Sequence, residues 1–299
     1  MKLSAKNAKL NAAKMAKNDE FYTMYEDIAI EMKYYWHHLK GKVVYCNCDN
    51  PEWSNFWKYF YDNFHKIGIK KLVSTHYEWE TFSYVLEYDG AEVIKTQLNG
   101  NGDFRNTECI ELLKEADIVV TNPPFSLFRE YMAQLIEYGK KFLIIGNKNA
   151  VTYKEIFPLI RNNQMWVGHR SMNSDFWLRV LDGQPYEKMV DGIPMKHIMA
   201  CWFTNLDIAK SHESLVRELY REYDPVLYPK YDNYDAINVD KVADIPKDYF
   251  EAIGVPITFL DKYSPDEFEI IGKLKPLING QYKYARLIVR RADRKEAAA

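Results

Sequence analysis

Between residues 42 and 146, short apolar runs alternate with stretches of helical periodicity, and this alternation limits the fold more than any other feature of the chain. Residues 42–47 (KVVYCN) read as a buried strand. Trp53, Phe56, Trp57, Phe60, Phe64 and Ile67 then recur at spacings of three and four, the mark of an amphipathic helix. Asn50 suits its N-cap, Pro51 its first position and Gly68 its exit. Residues 69–75 form a second strand, 78–88 an aromatic-rich helix, 91–97 a third strand, 107–115 a helix and 117–121 a fourth strand. A further helix closes at Gly139, and 142–146 (FLIIG) is a fifth strand. Strands of this length separated by helices predict a parallel sheet of α/β type.

Beyond the fifth strand the pattern loosens. A helix is expected near 153–162, and the extended stretches 164–180 and 197–204 are expected to pair as a hairpin at a sheet edge. From about residue 211 a helix over 213–222 precedes a Tyr-, Pro- and Asp-rich stretch, 223–235. Short segments punctuated by Pro and Gly follow, ending in a strand at 284–290. The 299 residues are enough for one large domain or two ordinary ones.

Charge sorts the function classes. The formal net charge is −2, which by itself says little about nucleic acid. The average hides structure: Lys2, Lys6, Lys9, Lys14 and Lys17 lie in residues 1–18 with no acid. Arg286, Arg290, Arg291, Arg294 and Lys295 meet only Asp293 and Glu296 near the other end. Two basic ends flank an acidic body, readable as solvated tails or as phosphate-contacting arms. Arg286 and Arg290 fall on one face of the last strand and Arg291 on the other. No apolar run is long enough to span a membrane, and the N-terminus lacks the apolar core of a secretory signal, so a cytoplasmic chain is expected. Cys46-x-Cys48 is a lone pair, Cys109 and Cys201 are isolated, and reduced thiols without a metal site are expected. No phosphate-binding G-x-x-x-x-G-K-[ST] loop occurs. Most of the 23 Tyr, 15 Phe and 7 Trp recur at helical spacing and read as core.

Chemistry concentrates at Asn122-Pro123-Pro124-Phe125, which follows the fourth strand. Open α/β sheets place their ligands at the carboxyl ends of strands. Two prolines stiffen the turn and remove two donors, leaving carbonyls to point outward. The Asn122 side-chain carbonyl and the Pro123 backbone carbonyl can each accept a hydrogen from a substrate NH2 group. That draws its lone pair out of conjugation and makes the nitrogen nucleophilic. Phe125 can stack on the ring that carries it.

An N-P-P-F turn after such a strand resembles the amino-methyltransferase motif of enzymes that use S-adenosylmethionine (SAM). Asp19 to Thr23 (DEFYT), residues 44–60 (VYCNCDNPEWSNFWKYF), Gly102-Asp103-Phe104, residues 200–207 (ACWFTNLD) and residues 254–272 add to it. Together they resemble the adenine-specific DNA methyltransferases of the EcoRI modification methylase family from about residue 18 onward. The resemblance implies a Rossmann-like α/β methyltransferase sheet with a smaller, irregular C-terminal target-recognition region. In these terms residues 1–18 are a basic arm, 19–210 the SAM-binding domain and 211–299 the DNA-recognition region.

The resemblance also assigns roles. Phe21, Tyr22 and Thr23 match a SAM-contacting segment before the first strand. Cys48, Asp49 and Asn50 occupy the turn that cradles the methionine end, although Asp49 also suits a plain helix N-terminal charge. Asp103 matches the acceptor for the cofactor's adenine amino group, and Phe104 lies against that ring. Asn122, Pro123, Pro124 and Phe125 form the catalytic turn. Here a C-x-C-D-N-P stands where a G-x-G is usual, and no acid directly follows the second strand, where His76 and Tyr77 precede Glu78 and Glu80.

The implied reaction is transfer of a methyl group to N6 of an adenine flipped out of double-stranded DNA, without a metal, by a chain that can work as a monomer. Methylation of an RNA base or a protein glutamine amide is the alternative, since each acceptor is an NH2 on an sp2 carbon. A catalytically idle DNA-binding protein is the second. Lys6, Lys9, Arg286, Arg290 and Arg291 are the candidate DNA contacts. The absence of a Pro-Cys pair argues against the cytosine-C5 enzymes.

Overall fold

The structure is a computed structural model describing residues 21–48, 50–78, 82–180 and 183–292. The arm at 1–18, with Lys6 and Lys9, and Asp49 lie outside the described residues. The chain divides into two compact units. One holds the described residues of 1–148 together with Ser174–Leu206; the other holds Asn149–Asn173 with the described residues of 207–299. Residues 149–173, placed by sequence in the first domain, thus group with the later part of the chain.

The first unit opens with α1 (Tyr25–Met32) and α2 (Trp36–Leu39). Next come β1 (Val43–Cys46), α3 (Asn55–Ile67), β2 (Lys71–Thr75), β3 (Tyr84–Tyr88) and β4 (Val93–Gln97). They are followed by α4 (Thr107–Glu115), β5 (Ile118–Thr121), α5 (Phe128–Glu137) and β6 (Lys141–Asn147). The chain passes through α6 (Phe157–Arg161) and β7 (Trp166–Val167) of the second unit. It returns as β8 (Phe176–Arg179), β9 (Lys188–Val190), β10 (Ile193–Ile198) and β11 (Ala200–Thr204). Within the first unit the large sheet runs β4-β3-β2-β1-β5-β6-β11. The four strands β2, β1, β5 and β6 are parallel, whereas β3, β4 and β11 are antiparallel to their neighbours. The expected α/β sheet is therefore present and mixed. Chain order reverses between β1 and β5, which makes their carboxyl ends a topological switch point.

Three local expectations are corrected and a fourth is met in part. The helix expected at 78–88 is, over Tyr84–Tyr88, a strand antiparallel to β2. Tyr84 and Tyr88 also fit a helical spacing, but the stretch is rich in aromatic and β-branched residues, and the buried β2 offers it an edge to pair with. Helix α3 starts at Asn55, because Ser54 accepts from the Phe56 N–H at 3.1 Å, while Asn50 caps a preceding turn. Its exit is as expected, with Gly68 left-handed at φ 79°. The pairing expected between 164–180 and 197–204 forms in part: His197 and Ile198 of β10 lie opposite Trp177 and Phe176 of β8, whereas β11 joins the main sheet beside β6. The helix expected at 213–222 shrinks to a 3-10 turn, Val216–Glu218. Its backbone finds tertiary partners instead, with Val216 N donating to Glu267 at 2.9 Å and Lys247 N to Arg221 O at 2.9 Å.

The second unit carries β12 (Lys230–Tyr231), β13 (Tyr234–Asn238), β14 (Ile253–Pro256), β15 (Phe268–Leu274), β16 (Leu277–Ile278), β17 (Gln281–Tyr282) and β18 (Arg286–Arg291). Five of these form a sheet in the order β12-β13-β14-β18-β15, and β16 and β17 form a separate ribbon. Helix α6 packs on β15. It is shorter than expected at 153–162 because Pro158 fits only a first helical turn. Gly254 leaves no room for a Cβ beneath the Tyr231 ring.

Candidate functional site

The turn after β5 is held from outside its own element. Asn122 is buried, and its Nδ2 donates to the Phe21 carbonyl at 2.6 Å. That bond leaves Oδ1 as the acceptor end of the amide, opposite Phe21. The Pro124 carbonyl accepts from Leu127 N at 3.0 Å and starts a 3-10 turn over Phe125–Leu127. No donor among the described residues reaches the Pro123 carbonyl. Phe125 is half-buried, its ring 5.9 Å from that of Phe21 and tilted by 56°.

The Phe21-Tyr22-Thr23 segment is itself fixed on both sides. Tyr22 makes a two-bond bridge with Arg179 on β8, at 2.9 and 3.0 Å. The Thr23 carbonyl accepts from Asn55 Nδ2 at 2.7 Å, at the start of α3. Lys196 of β10 sits 6.0 Å from the Phe21 ring. The structure thus joins the N-terminal segment, the first turn of α3 and the Asn122 turn, which lie far apart in sequence.

The loop after β1 forms the next wall. Asn47 accepts from the Tyr131 hydroxyl on α5, and the Cys48 thiol lies 3.7 Å from the same Asn47 oxygen. Burial drives the Tyr131 phenol well above its usual pKa, so it remains a donor. The Tyr131 ring meets the Phe104 ring edge-on at 5.1 Å, and Gln134 Nε2 donates to the Phe104 carbonyl at 3.0 Å. Helix α5 therefore ties the loop after β1 to the Asp103-Phe104 loop. Asn50 is buried and accepts from Glu52 N at 2.9 Å and from the Tyr84 hydroxyl at 3.2 Å.

Asp103 faces Arg105. Its Oδ1 accepts from Arg105 N at 2.9 Å and Nε at 2.8 Å, and its Oδ2 from Nη2 at 2.6 Å. Burial works to raise this carboxyl, but the guanidinium outweighs it and holds the pKa below the usual carboxylate value. Each carboxylate oxygen has about two acceptor sites, so Oδ2 keeps one.

Beyond β2 the geometry adds His76 and Glu78. The imidazole is buried, and its Nε2 lies 2.8 Å from Glu78 Oε1. Burial lowers its pKa despite the opposing pull of Glu78. Two buried polar atoms near these loops, Thr23 Oγ1 and His76 Nδ1, have no hydrogen-bond partner among the described residues. The sequence hinted at His76 only through its place after the second strand, and gave no sign of Asn47, Asn55, Tyr131 or Lys196.

The candidate basic contacts of the second unit are mostly engaged internally. Arg286 is buried and pairs with Asp240 at 2.8 Å. Arg291 is buried, donating to the Lys247 carbonyl at 2.9 Å and lying over the Phe250 ring. Arg290 is exposed beside Glu269, at 3.1 Å. Among the described residues no group of three or more His, Cys, Asp or Glu is placed to hold a metal, and no helix is long and apolar enough to cross a membrane.

Comparison with known proteins gives one consistent result. The chain is 45% identical to the type II methyltransferase M.EcoRI of Escherichia coli, over 97% of this chain and 98% of that one. It is 44% identical to the type II methyltransferase M.MpnI of Mycoplasma pneumoniae, over 87% and 84%. No solved structure is a significant match. The profile of the family described as adenine-specific methyltransferase EcoRI matches residues 9–297, and the chain belongs to that family of methyltransferases.

Proposed function

We propose that this chain is a site-specific DNA methyltransferase that places a methyl group from SAM on N6 of an adenine in double-stranded DNA. The observation that carries the reading is the Asn122–Phe21 bond at the β1/β5 switch point. It turns the Asn122 amide so that its acceptor end, with the Pro123 carbonyl, suits an amino group. The family description and the relatives' names support the same reading.

The residues present fit the cofactor. Phe21, Tyr22, Thr23, Cys48, Asp49, Asn50, Asp103 and Phe104 would hold it, and His76 joins them. The orphaned Thr23 Oγ1 and His76 Nδ1 and the remaining acceptor site of Asp103 are polar groups that a nucleoside can satisfy. When bound, SAM supplies a methyl group activated by its sulfonium.

The chain's own work is positional. A stacked adenine cannot reach this turn, so the base leaves the duplex at a cost of roughly a few kcal/mol. Asn122 Oδ1 and the Pro123 carbonyl accept its two amino hydrogens, and Phe125 lies against the ring. Orientation and fixed dipoles, rather than a strong base, supply most of the acceleration. The proton leaves after transfer, since an alkylated arylammonium is very acidic. The basic arm, with Lys6 and Lys9, contacts phosphate, and such an enzyme works in the cytoplasm.

The test is to incubate the protein with labelled SAM and, separately, mixed-sequence duplex DNA, RNA and protein. The DNA is then sequenced with a readout for N6-methyladenine. Label confined to adenine at a short recurring site is expected; label only in RNA or protein, or in none, overturns the reading.

A further inference from the structure

From Ile270 to Arg291 the chain carries six basic residues and no acid, in a protein whose net charge is −2. The structure divides these six. Arg286, Arg290 and Arg291 have the internal partners already described, and Lys273 donates to the Thr152 carbonyl. Lys275 and Lys283 form no ion pair among the described residues, and both lie on the arms of the β16–β17 ribbon.

The ribbon is prominent yet fixed. Residues 279–285 are exposed without a break, Tyr282 at 65% and Tyr284 at 89%. Large aromatic rings so exposed, side by side, mark a surface that meets something. The turn is Asn279-Gly280, both left-handed at φ 50° and 73°, the two-residue geometry that matches strand twist. A two-stranded ribbon alone is marginal in water. This one is braced by the Asp232-Asn233 loop. The Asp232 carboxylate accepts from Gly280 N at 2.8 Å, and Asn233 Oδ1 accepts from Leu277 N at 3.0 Å. Asn233 Nδ2 donates to the Lys275 carbonyl at 3.1 Å, and Asp232 N to the Leu277 carbonyl at 2.7 Å.

Its two faces differ. Pro276 is buried and Ile278 packs on the Tyr231, Ala236 and Ile288 cluster, which roots one face. Leu277 is opposite Tyr282 in the register, so Lys275, Tyr282 and Tyr284 share the other face by alternation. Lys275 Nζ lies 4.7 Å from the Tyr282 ring centroid on that face.

We infer that this ribbon is a DNA-contacting element, with Tyr282 and Tyr284 meeting the duplex interior and Lys275 and Lys283 its phosphates. The inference rests on the proposed DNA methyltransferase activity and names the part of the second unit that grips the substrate. The major groove admits a two-stranded β-ribbon, and lysines not held in an ion pair suit a phosphate backbone. Because the ribbon is ordered in advance, little is lost in fixing it on the duplex.

The test uses the full chain and mixed-sequence duplex DNA, with anisotropy titrations across a range of salt concentrations. Thermal unfolding and SAM calorimetry are run on each variant. Lys275→Ala and Lys283→Ala are each expected to flatten the slope of log affinity against log salt by about 0.9. Tyr282→Ala and Tyr284→Ala are expected to weaken binding to the methylated sequence by at least about fivefold, as for loss of one good base contact. Unfolding and SAM affinity should stay unchanged throughout. Wild-type affinities and slopes in all four variants overturn the inference and point to a protein partner. Failure of the wild-type protein to bind or methylate DNA overturns the proposed function itself, and is seen without any variant.

Discussion

Asn122 and Phe21 are 101 positions apart in sequence and joined by a bond of 2.6 Å, from a side-chain amide to a backbone carbonyl. Because the acceptor is backbone, changing the Phe21 side chain leaves the bond in place. The orientation of the amide thus depends on where the N-terminal segment runs. That course is set by Asn55 and by the bridge to Arg179.

Asn122→Ala removes both the acceptor and the bond that aims it. Turnover should fall by about two to three orders of magnitude, the range for deleting one preorganised polar group at a reacting centre. SAM affinity, read by calorimetry, should stay within a few-fold of wild type. Phe21→Leu should cost far less, since the carbonyl remains.

Phe125 is half-buried, its ring against that of Phe21. Phe125→Ala should raise KM for DNA and reduce the fluorescence gain of a 2-aminopurine at the target position. Phe125→Trp should keep most of that gain, because a larger ring still stacks.

Arg105→Ala strips two side-chain donors and a positive charge from Asp103 and keeps only the backbone N–H bond, so its pKa rises towards the ordinary carboxylate value or above it. In wild type the depressed pKa keeps Asp103 ionised through the mildly acidic range. Its contribution is complete above about pH 3.9 and lost as pH falls through the folded value. The acid limb of SAM affinity, followed by calorimetry, should therefore move to higher pH in the variant.

His76 has the opposite charge type. Burial lowers its pKa, so the unfolded chain binds a proton more readily. The stability this confers is complete above about pH 6.5 and lost as pH falls from there through the folded value. Urea midpoints between pH 5 and 8 should drop on acidification, and His76→Gln should flatten that slope.

Deleting residues 1–17 removes five lysines and no acid. DNA affinity should weaken and its salt dependence flatten, with SAM binding unchanged. An unaltered salt slope would show the arm to be solvated only.

Much of the first unit was legible in local pattern. The runs at 42–47, 69–75, 117–121 and 142–146 are short, largely buried strands, and pattern reading finds such segments readily. Tyr84–Tyr88 was not legible, because its rings satisfy two periods at once and only the waiting edge of β2 decides between them. The three arginines near the C-terminus illustrate a second limit. Sequence shows charge but not who neutralises it, and Asp240 and the Lys247 carbonyl lie more than forty residues from the guanidinium groups they hold. At the site, the Asn122 turn could be read from its prolines, whereas its link to Phe21 exists only once the chain has folded.

The second unit is assembled from two stretches of chain. Residues 149–173 are bound into it by α6 on β15, by Tyr263 to Asn163 at 2.7 Å, and by Asp261 to Ser171 at 2.6 Å and to Met172 N at 2.9 Å. The proposed target-recognition region is therefore not a C-terminal cassette. Grafting residues 207–299 alone onto a related enzyme would strand Ile156, Phe157 and Ile160 without the strand they cover. Chimeras meant to exchange sequence specificity within the family should therefore carry both stretches together, and splices at a single junction near residue 210 should yield insoluble protein.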